Sequence, residues 1–107
     1  MKIVRNNIIP FPGFKAINLF GILFVRGKSL LKSTDLTHEE IHTAQMKETL
    51  YIFFYLWYAA EWLIKLVIYR NAKEAYYNIS FEKEAYTHEG SYLYLSIRKH
   101  YAWWNFL

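Results

Sequence analysis

His38, Glu39 and His42 stand in an H-E-x-x-H arrangement, a spacing that on a helix turns two imidazoles to one side with a carboxylate between them. Residues four apart lie about 40° from one another around a helix axis, so both rings can reach one cation. Glu39 projects about 100° round, toward an open ligand position. That is the layout of a hydrolytic zinc site. So short a pattern also arises by chance, and its context has to decide.

Two histidines leave such a site short of a third protein ligand, and a chain without Cys must take it from His, Asp or Glu. The candidate stretch is Phe81 to Tyr86, with Glu82 and Glu84 inside it. Read as a helix, it sets these two carboxylates about 200° apart, so they cannot serve one metal together. Glu82 shares a stripe with Ala85, Tyr86, Leu93 and Ile97, which are apolar and predicted to face inward. Glu84 shares one with His88, Ser91 and Arg98, which read as a solvated face. Glu82 is the better ligand on that phase, and small Ala85 lets its helix approach the motif helix closely. Glu89 lies on the Glu82 stripe and stays open as a competing ligand or as a partner behind one. An inward Glu is also often a core-edge residue whose carboxylate reaches water.

His38-Glu39-x-x-His42 followed by Glu82-x-Glu84-Ala85 resembles the gluzincin zinc metallopeptidases. Within them it is similar to the Glu-x-Glu-Ala-Asp arrangement of the CAAX-processing and stress-response membrane peptidases. The resemblance covers about fifty residues, and the chain as a whole is also similar to small uncharacterised bacterial proteins of this type. It implies His38, His42 and Glu82 as zinc ligands and Glu39 as general base. The sequence departs from the pattern at Tyr86, which stands where the family has an Asp supporting a histidine ligand. Zinc held by two imidazoles and one carboxylate keeps a fourth position for water, whose pKa it lowers to about 7. Glu39 would take the water proton and deliver it to a leaving amine. In this clan a strand ahead of the motif helix aligns the peptide substrate, and Ala16 to Arg26 is the segment available for it. Tyr86 is a candidate donor to the oxyanion, against the commoner packing role of an inward tyrosine.

The whole chain has 107 residues, a length for one domain over 1–107. Hydrophobic residues make up 54% and aromatics 21%, too apolar for disorder. The net charge of +4 comes from Lys and Arg scattered along the chain, with no basic run, which argues against a nucleic-acid partner. Absence of Cys excludes disulfides and thiolate metal sites and suits a cytoplasmic protein. No continuous apolar segment precedes Pro10 and Pro12, so the start does not read as a signal peptide.

These residues need elements to hold them. Pro10, Pro12 and Gly13 form a turn cluster, and Ala16 to Arg26 reads as one buried strand with Gly21 as the place for a bulge. Lys28 to Lys32 reads as a basic loop. Thr34 or Asp35 can cap the next helix, and Thr37 with Glu40 makes a capping-box pair that predicts a start immediately before His38. The helical pattern runs to about Arg70 with a break near Leu50. Asn71 to Asn78 reads as a polar joint, and Ser80 can cap a last helix from about Phe81 to Lys99, weakened at Gly90.

Leu50 to Tyr69 is apolar or aromatic except for Glu61 and Lys65 and is long enough to span a bilayer. The two charges oppose a span, although an i,i+4 pairing between them lowers the cost. Aromatics such as Tyr51, Tyr55, Trp57, Tyr58 and Trp62 suit a buried core, a homodimer surface or a membrane interface better than lipid tails. The aromatic end, Tyr101 to Leu107, is expected to fold back over the core.

The expectation is a mainly α (α+β) fold, a minimal zincin-like domain in which the motif helix and the second ligand helix pack together behind a short N-terminal strand or hairpin. It would act as a zinc-dependent metallopeptidase on a peptide or protein substrate, cytoplasmic and open to membrane association. The rival is a non-catalytic metal-binding or membrane-associated helical interaction module. Smallness favours the rival, and retention of Glu39 favours the enzyme. A di-iron bundle using Glu39-x-x-His42 needs a second such motif, which only a dimer could supply.

Overall fold

Apolar and β-branched residues pack the N-terminal third, and two positive-φ residues decide how they run. In the computed structural model, which describes residues 2–8, 16–27, 30–91 and 93–107, β1 (Lys2–Asn6), β2 (Ala16–Leu19) and β3 (Ile22–Arg26) form a sheet of order β1-β3-β2. The expected single strand from Ala16 to Arg26 is instead a hairpin, with Ala16 opposite Val25 and Leu19 opposite Ile22. Phe20 and Gly21 reverse the chain with φ of 54° and 86°. Two consecutive positive φ angles match the right-handed twist of the strands, and an apolar first turn residue hides the turn in the sequence. β1 pairs parallel to β3, Ile3 opposite Leu23, and no sequence signal marked it. The Pro10–Gly13 turn cluster and the Lys28–Ser29 part of the basic loop lie outside the described residues.

α1 (Ser33–Glu48) starts about a turn earlier than the Thr37–Glu40 pairing predicts. Asp35 provides the start signal, its carboxylate accepting from the Lys32 backbone N–H at 2.9 Å. The expected break falls at Thr49 to Tyr51, where Leu50 and Tyr51 take φ of 56° and 60°. Both conformations are uncommon for L-residues and strained. They turn the chain so that α2 (Ile52–Tyr69) passes back across the motif helix. The polar joint contains a helix of its own, α3 (Ala72–Tyr77), because the Asn71 side chain caps it by accepting from the Lys73 and Glu74 N–H groups.

The expected helix from Phe81 to Lys99 divides into α4 (Ser80–His88) and α5 (Tyr94–Ile97), broken around Gly90. A 3-10 turn, Ala102–Phe106, ends the chain. Its Trp103 folds back onto Phe81, Met46, Phe54 and Ile79, the main apolar cluster. The fold is thus mainly helical with one small sheet, an α+β arrangement.

α4 is enclosed for most of its length. Ser80, Phe81, Glu82, Glu84 and Ala85 are all buried, so polar residues on more than one side of this helix must find partners inside the protein. α2 is the opposite case. Only Phe54 and Glu61 of its eighteen residues are buried, and the Glu61 carboxylate turns inward to accept from the Ser80 N–H, the Ser80 hydroxyl and the Trp57 indole. Among the described residues it makes no ion pair with Lys65, so the expected pairing is replaced by contacts to α4.

Candidate metal centre

His38 and His42 face α4 from consecutive turns of α1, and Glu82 answers them from the first turn of α4. His38 Nε2 lies 3.1 Å and His42 Nε2 3.0 Å from Glu82 Oε1, and the two nitrogens are 3.1 Å apart. All three residues are buried. Atoms bound tetrahedrally at about 2.0–2.2 Å from a zinc ion lie about 3.3–3.5 Å apart, so a spreading of a few tenths of an ångström admits the ion. An N₂O donor set suits zinc better than calcium or magnesium, which take oxygen ligands.

The far side of each ligand is held as well. His38 Nδ1 lies 2.7 Å from Glu89 Oε2, and His42 Nδ1 lies 2.7 Å from Gln45 Oε1. The Tyr58 hydroxyl donates to Glu82 Oε2 at 2.7 Å, leaving Oε1 to the cluster. Both outer imidazole nitrogens therefore meet oxygen acceptors and carry the ring protons. Both Nε2 atoms are left with lone pairs aimed at a carboxylate oxygen. Three acceptors about 3 Å apart in a buried place repel one another unless a cation or a proton lies among them.

In the protein without metal that cation is a proton. Burial opposes charge on His42, but the Glu82 carboxylate beside it outweighs burial and the pKa is pushed up to about 9. Glu82 moves the other way: burial opposes its charge, and His42, with hydrogen bonds from both histidines and Tyr58, still holds its carboxyl far below the usual range. Burial raises the Glu39 carboxyl above its ordinary value, partly offset by His42 and His38.

Glu39 lines the same cleft as the three clustered residues. This cleft, about 890 Å³, has largely apolar walls including Ile17, Leu19, Met46, Phe54, Tyr55 and Tyr58. β2 runs along it as an edge strand that, among the described residues, pairs only with β3. Asn18 ties the strand to the motif helix, its amide donating to the Glu39 carbonyl and to Thr43 Oγ1, each at 3.0 Å. Tyr55 adds a link from α2, its hydroxyl accepting from the Phe20 N–H and donating to the Asn18 carbonyl.

The structure therefore brings His38, Glu39, His42 and Glu82 to one cleft and sets Glu89 behind His38. Glu84 is not on a solvated face. It is fully buried and accepts from Gln45, Tyr94 and Arg98. The helical stripe that predicted otherwise fails because the helix ends at His88, so Arg98 reaches Glu84 by a fold-back rather than by helical phase. Leu93 and Ile97, expected inward, are exposed for the same reason. Tyr86 is also partly exposed; its ring meets His38 edge-on with centroids 4.4 Å apart, and its hydroxyl engages Tyr76, one of the tyrosines that line the cleft. Gln45, Tyr58 and Asn18 escaped the sequence reading. Gln45 alone left a local trace there, as an amide one helical turn beyond His42.

No family model, curated protein or solved structure matches the chain.

Proposed function

We propose that this protein is a zinc-dependent metallopeptidase whose ion is held by His38, His42 and Glu82. The observation that carries the reading is the buried convergence of two Nε2 atoms and one carboxylate oxygen within 3.1 Å, with the outer nitrogens already bound elsewhere. Zinc bound there would supply a Lewis acid for the scissile carbonyl and lower the pKa of a bound water. Glu39, at the wall of the same cleft, takes the proton of the attacking water and passes it to the leaving amine nitrogen. The apolar walls of the cleft, along which β2 runs, suit the large uncharged side chains of an extended peptide. The alternative, a metal-binding module without catalysis, gives Glu39 no role.

α2 supports placing this activity at a membrane surface of a cytoplasmic protein. None of the exposed residues of α2 is charged, and Leu56, Leu63, Ile64, Val67 and Ile68 are each more than half exposed. Its eighteen residues extend about 27 Å, and exposed Arg70 and Lys73 follow at its C-terminal end, suited to anionic headgroups. Glu61 turns inward and Lys65 is half-buried, so the exposed positions of α2 carry no charge.

The test begins with metal analysis of purified protein, for which one zinc per chain is expected. Full zinc occupancy after replacing both His38 and His42 by Ala would overturn the ligand assignment. Unstructured peptides are then offered with and without anionic vesicles. Glu39→Gln is expected to keep zinc and fold while losing most turnover. If zinc-loaded wild type leaves a broad peptide library uncut under both conditions, the peptidase reading falls and a metal-binding module remains.

A further inference from the structure

Gln45 is fully buried one turn beyond His42, and its amide is held from three directions. Its Nε2 donates to the Phe81 carbonyl and to Glu84 Oε1, both at 3.0 Å. A carbonyl and a carboxylate only accept, so the amide cannot be turned over without setting its oxygen against two oxygens. Its own oxygen must then face His42 Nδ1, at 2.7 Å.

Glu84 is anchored in turn. Arg98 donates from Nε to Glu84 Oε2 at 2.6 Å and from a terminal nitrogen to Oε1 at 3.1 Å, and Tyr94 donates to Oε2 at 2.7 Å. Arg98 is itself clamped by both oxygens of Glu48. The fork geometry of a guanidinium between two carboxylates fixes direction as well as charge. The sequence of bonds runs from the C-terminal segment through α4 to a metal-ligand candidate on α1.

We infer that Gln45 and Glu84 are positioning residues that lock His42 into the tautomer with its proton on Nδ1, and thereby present Nε2 to the metal. A neutral imidazole has one proton for two nitrogens, and a ring free to place it on Nε2 would lose its ligand atom. Gln45 removes that choice, and Glu84 removes the choice from Gln45. Neither residue touches the metal position. The arrangement also supplies the support for which the sequence pattern offered no Asp at position 86, by an amide on the motif helix itself.

The inference rests on the metal-centre reading, and the test separates the two. The zinc-loaded wild-type protein, labelled with ¹⁵N, is examined by long-range ¹H–¹⁵N correlation of the histidine rings. The expected result is His42 bound to zinc through Nε2 with a proton on Nδ1. Zinc bound through Nδ1 would overturn the positioning role alone; failure of zinc to bind would overturn the metal reading and the inference with it. Zinc affinity is then compared by chelator competition. Gln45→Met, which keeps the volume and removes the amide, is expected to weaken zinc 10- to 100-fold. Gln45→Met and Glu84→Gln are checked for fold by circular dichroism without metal. Glu84→Gln retains an oxygen acceptor and is expected to lose less affinity than Gln45→Met. Wild-type zinc affinity in folded Gln45→Met would overturn the proposal. Should that variant not fold, the wild-type ring spectra alone decide.

Discussion

The Tyr58 hydroxyl lies 2.7 Å from Glu82 Oε2 and joins the most apolar helix of the protein to its most polar cluster. Burial, with Glu82 alongside, pushes this phenol well above the ordinary tyrosine range, so it remains a donor. Tyr58 comes from α2, which also carries Phe54 against His42, ring centroids 5.8 Å apart. The candidate metal cluster is therefore walled by three helices, although the atoms that could hold the ion come from two.

Tyr58→Phe is expected to free the second oxygen of Glu82 while keeping the aromatic packing. Zinc affinity measured by chelator competition should fall by about 10-fold, the lower end for partners behind a ligand. An unchanged affinity would show that the Tyr58 contact does not hold Glu82 in place.

Glu82 and Glu84 sit two residues apart and are expected to fail in different ways. Glu82→Ala should remove stoichiometric zinc. Glu84→Ala should keep a zinc site of reduced affinity but lower stability by about 3–5 kcal/mol, since it strips one carboxylate from Arg98 and leaves Tyr94 and Gln45 donors unmatched. Denaturant unfolding read beside zinc titration checks the pair, and loss of zinc at Glu84 with retention at Glu82 would refute the ligand order.

The metal-free protein is expected to lose stability as pH rises. The folded pKa of His42, about 9, lies above the ordinary value of 6.5, so its contribution is complete below 6.5 and disappears through about 9. A shift of that size corresponds to a loss on the order of 3 kcal/mol. Glu82 contributes in the opposite sense: its depressed folded pKa gives stability above about 4.5 that is lost as the solution is acidified. Zinc should abolish the alkaline loss because it replaces the His42 proton. Thermal melts between pH 6 and 9.5, with and without zinc, check the sign, and a metal-free protein that gains stability over that range would contradict the buried ion pair.

The outer face of α2 is expected to bind anionic vesicles. Replacing Leu63 and Val67 by Glu puts two charges on positions 56% and 77% exposed and should abolish co-sedimentation while zinc content stays the same. A parallel sedimentation-equilibrium run distinguishes a dimer surface: a wild type that ignores vesicles but dimerises, with the double variant monomeric, would move the assignment from lipid to a second copy.

Local spacing made the first half of the site legible. His38 and His42 face one way because 3.6 residues make a turn, and the same arithmetic separates Glu82 from Glu84 on α4. The break near Leu50 and the mainly helical composition belong to that class, since each depends on neighbours a few residues away, whereas the Thr37–Glu40 pairing places the start of the motif helix a turn too late. Which side of a helix meets water depends on what packs there. α4 is enclosed by α1, α2, α3 and the C-terminal turn, so a stripe that looked solvated became the seat of Glu84 and of its bond to Arg98, a residue brought round by the break at Gly90. Tyr58 reached Glu82 only because Leu50 and Tyr51 accept positive φ and fold α2 back. A hairpin ahead of the motif helix is within the fold expectation, but its turn at Phe20–Gly21 is hidden by an apolar first residue. Helical phase, readable along one segment, picks out the candidate ligands, whereas the bonds that orient them, the Gln45–His42 contact apart, join residues fourteen to fifty-one positions apart, and only chain closure in three dimensions brings them within 3 Å.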